Sequence, residues 1–243
     1  MKIIVEKDYE SMSKKAGKIL IDTIKANPKI VLGLATGSTP IGLYKELIRS
    51  HREDDLDFSN VTTFNLDEYI GISKDHPNSY GYFMYEELFK HINIPMNNTH
   101  IPHGEAEDLE EYCKYYDDLI QSHGGIDIQV LGIGENGHIA FNEPSEYLSI
   151  GTSIVELTDN TIKANSRFFG SEGEVPKSAI SMGIGGILKA RKIILLASGE
   201  TKAPIIGKLL RTKGISTMIP ASFLLLHPNV TVIVDEAAYK EMR

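Results

Sequence analysis

Short apolar runs alternate with helical patterns along the whole sequence, and this alternation constrains the fold more than any other feature. The runs are rich in Val, Ile and Leu with few alternating polar residues, which is typical of strands covered on both faces. The predicted strands are residues 2–5, 30–35, 61–65, 126–132, 153–157, 193–197 and 230–235. The predicted helices are residues 9–26, 39–49, 79–91, 106–122, 183–189 and 201–210. Such alternation favours right-handed crossovers, so we predict an α/β fold: an open, mostly parallel Rossmann-like sheet with helices on both faces.

The composition of the sequence indicates which classes of binding partner and which cellular compartment to expect. Neither a linker nor a repeat divides the 243 residues, so we expect residues 1–243 to form a single domain. The net charge of −8 argues against a nucleic-acid partner, because phosphate-backbone binding needs a basic surface. No apolar stretch approaches the roughly 18 residues of a membrane span, and no secretory leader is visible. With the lone cysteine, Cys113, these features predict a cytoplasmic protein without a membrane partner.

The segment 132–144 carries ionisable side chains directly after the predicted strand 126–132. Its glycines would let the backbone approach a neighbour closely or take positive φ where the strand ends. Asn136, His138 and Glu143 follow within the same segment. The carboxyl ends of strands in an open α/β sheet usually hold the chemistry, so these three residues are candidate catalytic residues. The alternative is a polar loop with a surface histidine.

A second glycine segment, residues 33–40, joins a predicted strand to a predicted helix. Thr39 or Ser38 is expected to cap that helix, with Pro40 in its first turn. Free backbone N–H groups and hydroxyls at such a helix start can bind an anion, which makes Gly37, Ser38 and Thr39 candidate phosphate ligands. The spacing matches neither common nucleotide-binding motif. A capped helix without a ligand is the alternative.

Two basic residues support the interpretation that residues 33–40 help to bind an anion. Arg167 offers a guanidinium fork suited to a phosphate, and Lys202 offers a point charge after the predicted strand 193–197. Because the chain is acidic overall, an anionic substrate needs such a local positive site. Each residue considered alone is more often a solvated surface charge.

Adjacent carboxylates, Asp67 and Glu68, follow the predicted strand 61–65. Neighbouring side chains point in different directions, so at most one of them faces a substrate. A partly buried carboxylate there could serve as a general base, whereas the bland alternative is a capping or loop carboxylate. The histidines lack paired metal-ligand spacing, and we expect neither a metal nor another cofactor.

Taken together, these segments resemble the glucosamine-6-phosphate deaminase family, also called glucosamine-6-phosphate isomerases. The most specific parts are Phe-Asn-Leu-Asp-Glu-Tyr at 64–69 and Gly-His-Ile-Ala-Phe-Asn-Glu-Pro at 137–144. Segments 37–39, 165–169 and 198–203 complete the resemblance in the family's order.

The resemblance implies conversion of glucosamine 6-phosphate and water to fructose 6-phosphate and ammonia, without a metal or organic cofactor. It implies that Asp67 is the base that carries a proton between carbons 2 and 1 of the opened sugar. It also implies that His138 moves a proton at the ring oxygen and that Glu143 orients the histidine. Many family members carry an acidic residue where this chain has Asn136, and an amide can orient a neighbour but cannot ionise.

Regulation is a second departure from the family's pattern. Longer members are hexamers switched by N-acetylglucosamine 6-phosphate through basic residues shortly before the Asn-Ser-Arg-Phe-Phe motif and a C-terminal extension. Residues 151–156 contain no Arg or Lys here, and the sequence stops soon after Asp235. We therefore expect a monomer or small homo-oligomer without this switch.

Two rival functions share parts of this pattern. A 6-phosphogluconolactonase would also need a phosphate site and a histidine, but it has no use for a base at carbon 2. A sugar-phosphate sensor of a transcription regulator would need a basic helix-turn-helix, which residues 1–30 do not offer.

Overall fold

The structure is a computed structural model that describes residues 1–166 and 169–242. Its strands are β1 (Lys2–Glu6), β2 (Val31–Leu34), β3 (Thr62–Asn65), β4 (Asp67–Tyr69), β5 (Thr99–His100), β6 (Ile128–Leu131), β7 (Ser153–Glu156), β8 (Ser178–Ser181), β9 (Lys192–Ala197) and β10 (Val230–Asp235). Its α-helices are α1 (Tyr9–Ala26), α2 (Ile41–Glu53), α3 (Tyr80–Glu87), α4 (Leu109–Ser122), α5 (Asp159–Asn165), α6 (Ile184–Leu188) and α7 (Ala203–Arg211).

A seven-stranded sheet in the order β1-β10-β9-β6-β2-β3-β5 forms the centre of the molecule, and all its pairs are parallel. Successive side chains of β9 enter different cores. Ile193 and Leu195 pack with α4, α6 and α7, whereas Ile194 and Leu196 pack with α1, α2 and α3. Helices therefore cover both faces, which confirms the predicted fold and explains the unbroken apolar runs.

The connections reverse direction in the middle of this sheet. From β2 the chain continues to β3 and β5 on one side, whereas from β6 it continues to β9 and β10 on the other. Neighbouring strands whose connections diverge leave a crevice at their carboxyl ends, which is the usual ligand site of such sheets.

A second, three-stranded antiparallel sheet in the order β4-β8-β7 lies after β3. The predicted strand 153–157 exists as β7, but our placing it among the mainly parallel strands was wrong. Its side chains alternate between half-buried and exposed, as expected when one face of an antiparallel sheet is solvated. Strands β4, β5 and β8 were not predicted.

Helix α2 begins later than predicted. Pro40 occupies the position before the first helical residue, Ile41, and has helical φ and ψ of −81° and −6°. The expectation that Ser38 or Thr39 caps this helix was wrong, since no side chain caps it. None of the helices in the described ranges is both long and apolar enough to span a membrane.

Candidate active site

The predicted site segments follow strands of the central sheet at its carboxyl edge. Residues 35–40 follow β2, Asp67 follows β3, residues 132–144 follow β6, and Lys202 lies beyond β9. Ser181 of β8 links two of these segments. It pairs with Asp67 in the small sheet, and its hydroxyl accepts a hydrogen bond of 3.1 Å from the Phe141 amide.

Asp67 is buried, with 6% of its surface exposed, at the first position of β4. Burial raises the pKa of this carboxyl to about 8, and the neighbouring Glu68 carboxylate adds to the rise. A carboxyl with such a pKa retains a strong proton affinity near neutrality, which suits a general base.

Glu68 has a different task. Its carboxylate accepts hydrogen bonds from the Tyr69 amide at 2.9 Å and from the Tyr80 and Gly81 amides at 2.9 and 2.8 Å. Two of these donors lie in the first turn of α3, where amides have no partner within the helix. Burial raises the pKa of Glu68, and the three backbone donors oppose that rise. Glu68 therefore fixes α3 against β4.

Glycines shape the segment after β6 around the histidine. A Cβ atom on Gly134 would lie 2.3 Å from His138 Cε1, so only glycine lets the ring pack against this backbone. The Gly134 amide donates to the His138 carbonyl at 2.9 Å, and Gly137 adopts φ of +93°. The predicted close approach and positive φ are confirmed at these two positions.

Glu143 is the centre of a cluster of polar contacts. Its Oε1 lies 3.2 Å from His138 Nδ1, and its Oε2 accepts a 2.6 Å hydrogen bond from the Asn136 amide group. Asn136 also accepts a hydrogen bond of 3.1 Å from the His138 backbone amide. The hydroxyl of Thr161, on α5, donates to Oε1. The structure thus brings together the three residues predicted after β6 and adds a fourth.

These contacts decide the ionisation of Glu143. Burial alone would raise its pKa, but contact with His138 and hydrogen bonds from Thr161 and Asn136 outweigh burial and lower the pKa to about 2. Glu143 is therefore a carboxylate whenever His138 needs an anionic partner. Asp67 and Glu143, two buried acids, consequently differ widely in proton affinity.

The backbone of the predicted phosphate-binding segment after β2 is held by hydrogen bonds. Gly37 adopts φ of +92°, and the Tyr9 hydroxyl joins the Ser38 carbonyl at 3.0 Å to the Gly42 amide at 2.8 Å. Ser38 is exposed and Thr39 is half-buried. Because neither caps α2, the two hydroxyls have no capping role that would compete with an anion.

Lys202 directly precedes α7 and is half-buried. The loop before it is held by Asp235, whose carboxylate accepts from the Ser198 hydroxyl at 2.5 Å and from the Gly199 amide at 3.0 Å. Arg167 lies outside the described residues. Binding of phosphate by Gly37, Ser38, Thr39, Arg167 and Lys202 remains a prediction.

Comparison with known proteins identifies the family. A family model described as glucosamine-6-phosphate isomerases/6-phosphogluconolactonase matches residues 6–233. The glucosamine-6-phosphate deaminase of Clostridium perfringens (strain 13 / Type A) is 56% identical over 243 residues, which is all of both chains. This chain belongs to that family. A relative of the same name from Thermoanaerobacter pseudethanolicus is 56% identical over 98% of this chain and 94% of its own.

Comparison with solved structures supports membership of this family. A structure described as a monomeric glucosamine-6-phosphate deaminase superposes with a TM-score of 0.96 and 48% identity, covering 99% of this chain and 100% of its own. A 6-phosphogluconolactonase from Trypanosoma cruzi gives a TM-score of 0.77 at 20% identity, covering 99% of this chain and 96% of its own. The second likeness shows a shared fold alone.

Sequence reasoning missed several residues that hold parts of the candidate site in place. Thr161 and Thr158 form a recognisable helix start, but the contact between Thr161 and Glu143 joins residues far apart in the chain. Ser181 and Asp235 gave no motif, because each acts on a loop backbone from another strand. Within the described parts of the chain, no group of three or more His, Cys, Asp or Glu side chains is placed to hold a metal ion.

Proposed function

We propose that this protein is a glucosamine-6-phosphate deaminase, which converts glucosamine 6-phosphate and water to fructose 6-phosphate and ammonia in amino-sugar catabolism. Identity of 56% to a deaminase over the full length of both chains supports the assignment. The structural observation that carries it is the separation of two acid–base centres. Asp67 has a pKa of about 8 after β3, whereas His138 contacts an ionised Glu143 after β6.

The reaction begins with ring opening, which we assign to His138. A proton leaves the carbon 1 hydroxyl and a proton reaches the ring oxygen as the bond between carbon 1 and that oxygen breaks. His138 moves the proton at the ring oxygen, and the Glu143 carboxylate, 3.2 Å from Nδ1, orients the imidazole. Asn136 holds Glu143 in place without exchanging a proton itself.

The proton shift that follows requires one base above two adjacent carbons, and we assign it to Asp67. The ionised carboxylate removes the proton from carbon 2 of the open-chain amino aldose and returns it to carbon 1, while a proton passes from the amino group to the oxygen on carbon 1. The product is an imine at carbon 2, and water hydrolyses it to fructose 6-phosphate and ammonia. Holding the base against both carbons makes each transfer an effectively unimolecular step.

The substrate's phosphate is proposed to bind Gly37, Ser38, Thr39, Arg167 and Lys202. The hydroxyls of Ser38 and Thr39 and the charges of Arg167 and Lys202 are suited to an anion in a chain of net charge −8. We further propose a single-domain, cytoplasmic enzyme that is a monomer or small homo-oligomer and uses no cofactor. The neighbour described as monomeric supports the oligomeric part of this proposal.

A 6-phosphogluconolactonase is the main competing activity within the family, and an assay separates the two. Purified protein is incubated with glucosamine 6-phosphate in the presence of chelator, and ammonia and fructose 6-phosphate are measured. We expect both products in equal amounts and their loss in Asp67→Asn, because an amide cannot accept the carbon 2 proton. Hydrolysis of 6-phosphogluconolactone without ammonia release would reject the deaminase assignment.

A further inference from the structure

Thr161 lies outside the sequence motifs and yet contacts the acid–base centre. It stands on α5, has 6% of its surface exposed, and its hydroxyl donates to Oε1 of Glu143. The same oxygen lies 3.2 Å from His138 Nδ1. Thr161 therefore touches the oxygen that faces the histidine, while Asn136 binds the other carboxylate oxygen at 2.6 Å.

A second threonine fixes the direction of this hydrogen bond. The Thr158 hydroxyl donates to the Thr161 hydroxyl oxygen at 3.2 Å, and the Thr161 amide donates to the Thr158 hydroxyl oxygen at 3.3 Å. A hydroxyl has one hydrogen to donate, and that of Thr161 is directed to Glu143. The capping turn of α5 is thereby joined to the carboxylate by a chain of hydroxyls.

We propose that Thr161 is a positioning residue that holds the Glu143 carboxylate in the orientation in which Oε1 faces His138 Nδ1. The proposal rests on the deaminase function and deepens it. With Nδ1 against Glu143, the other ring nitrogen is left for the sugar's ring oxygen. Without the Thr161 donor, Oε1 keeps only His138 as a partner. The hydrogen bond from Asn136 to Oε2 does not by itself prevent the carboxylate from rotating Oε1 away from His138. Ring opening should then become slow.

Three variants test the role of the hydroxyl. Thr161→Val keeps the branched shape and removes the donor, whereas Thr161→Ser keeps the donor. The matched control is Thr152→Val, since Thr152 is also buried and its hydroxyl donates to the Asp117 carboxylate at 2.6 Å, a bond of the same kind. We expect Thr161→Val to lower kcat by about tenfold or more, the effect of losing one hydrogen bond to a charged group, with little change in KM. Thr161→Ser and Thr152→Val should keep nearly the parent kcat.

A substrate that cannot form a ring separates positioning from general damage. An analogue of glucosamine 6-phosphate without hydroxyls on carbons 4 and 5 stays open, so Asp67 can act on it without help from His138. We expect Thr161→Val and the parent protein to release ammonia from this analogue at equal rates. An equal slowing on both substrates, a slow Thr161→Ser, or a Thr161→Val enzyme with parental kcat would overturn the proposal. A parent protein that releases no ammonia at all would instead overturn the deaminase function on which it rests.

Discussion

At the scale of a single residue, Asp67 must meet two opposing requirements. It must be buried to bind a proton tightly, and it must be ionised to remove one from the substrate. With a pKa of about 8, its ionised fraction falls roughly tenfold per pH unit below that value. We expect kcat/KM for glucosamine 6-phosphate to rise with pH from 5 and to level off near 8. The profile is measured at constant ionic strength, and a plateau already present at about pH 5 would contradict the raised pKa.

The buried Asp67 carboxyl should also lower the free energy of unfolding at high pH. Its folded pKa of about 8 lies above the ordinary aspartate value of 3.8, so between these pH values the native state binds the proton more tightly than the unfolded chain does. The free energy of unfolding therefore falls as pH rises through this window. We expect Asp67→Asn to be more stable than the parent protein at pH 8, with an advantage that shrinks towards pH 4. Denaturant unfolding at the two pH values measures this change, and a constant difference would contradict it.

Asn136 donates a hydrogen bond to the Glu143 carboxylate. In Asn136→Asp the donated hydrogen bond is replaced by a like charge, so the pKa of Glu143 should rise from about 2. As the pH falls, protonation of Glu143 should therefore abolish activity at a higher pH in this variant than in the parent protein. The acidic limb of kcat against pH reports the shift, and an unmoved limb would show that Asn136 does not influence Glu143.

At the scale of an element, the loop after β6 depends on the absence of a side chain at Gly134. A methyl group on Gly134 would meet the His138 ring at 2.3–2.5 Å, whereas one on Gly132 would meet nothing within 4 Å. We expect Gly134→Ala to displace the ring and lower kcat by about tenfold or more, and Gly132→Ala to leave kcat nearly unchanged. Steady-state kinetics of the two variants decide this, and equal effects would argue for general loop damage.

Elements with a strong local pattern were predictable from the sequence, and elements created by tertiary pairing were not. Helix α1 matches its predicted range because Asp8 caps it and apolar residues recur along one face. Strand β4 has three residues and β5 has two, which is too short for a pattern, and both form because neighbouring strands supply partners. Asp67, His138 and Glu143 were predicted from their motifs, whereas Thr161 depends on where α5 docks.

Regulation belongs to the whole molecule. Residues 151–156, the segment for which the family resemblance implies an effector region in longer members, contain Glu156 and no Arg or Lys. An anionic effector has no cation to bind in this segment, and without different contacts in two states it has no coupling free energy. We expect velocity against glucosamine 6-phosphate to be hyperbolic, with N-acetylglucosamine 6-phosphate acting only as a competitor. A sigmoidal curve that becomes hyperbolic on adding this compound would contradict the prediction.

The pairing of β1 with β10 has a consequence for how a ribosome produces this protein. Lys2 to Glu6 are synthesised well before their hydrogen-bonding partners, Thr231 to Asp235. Throughout elongation the nascent chain therefore carries an unpaired Lys-Ile-Ile-Val-Glu segment, the kind of exposed strand that associates with other chains. This edge of the sheet is completed only after Thr231 to Asp235 have been synthesised, and until then the segment is open to association with other chains.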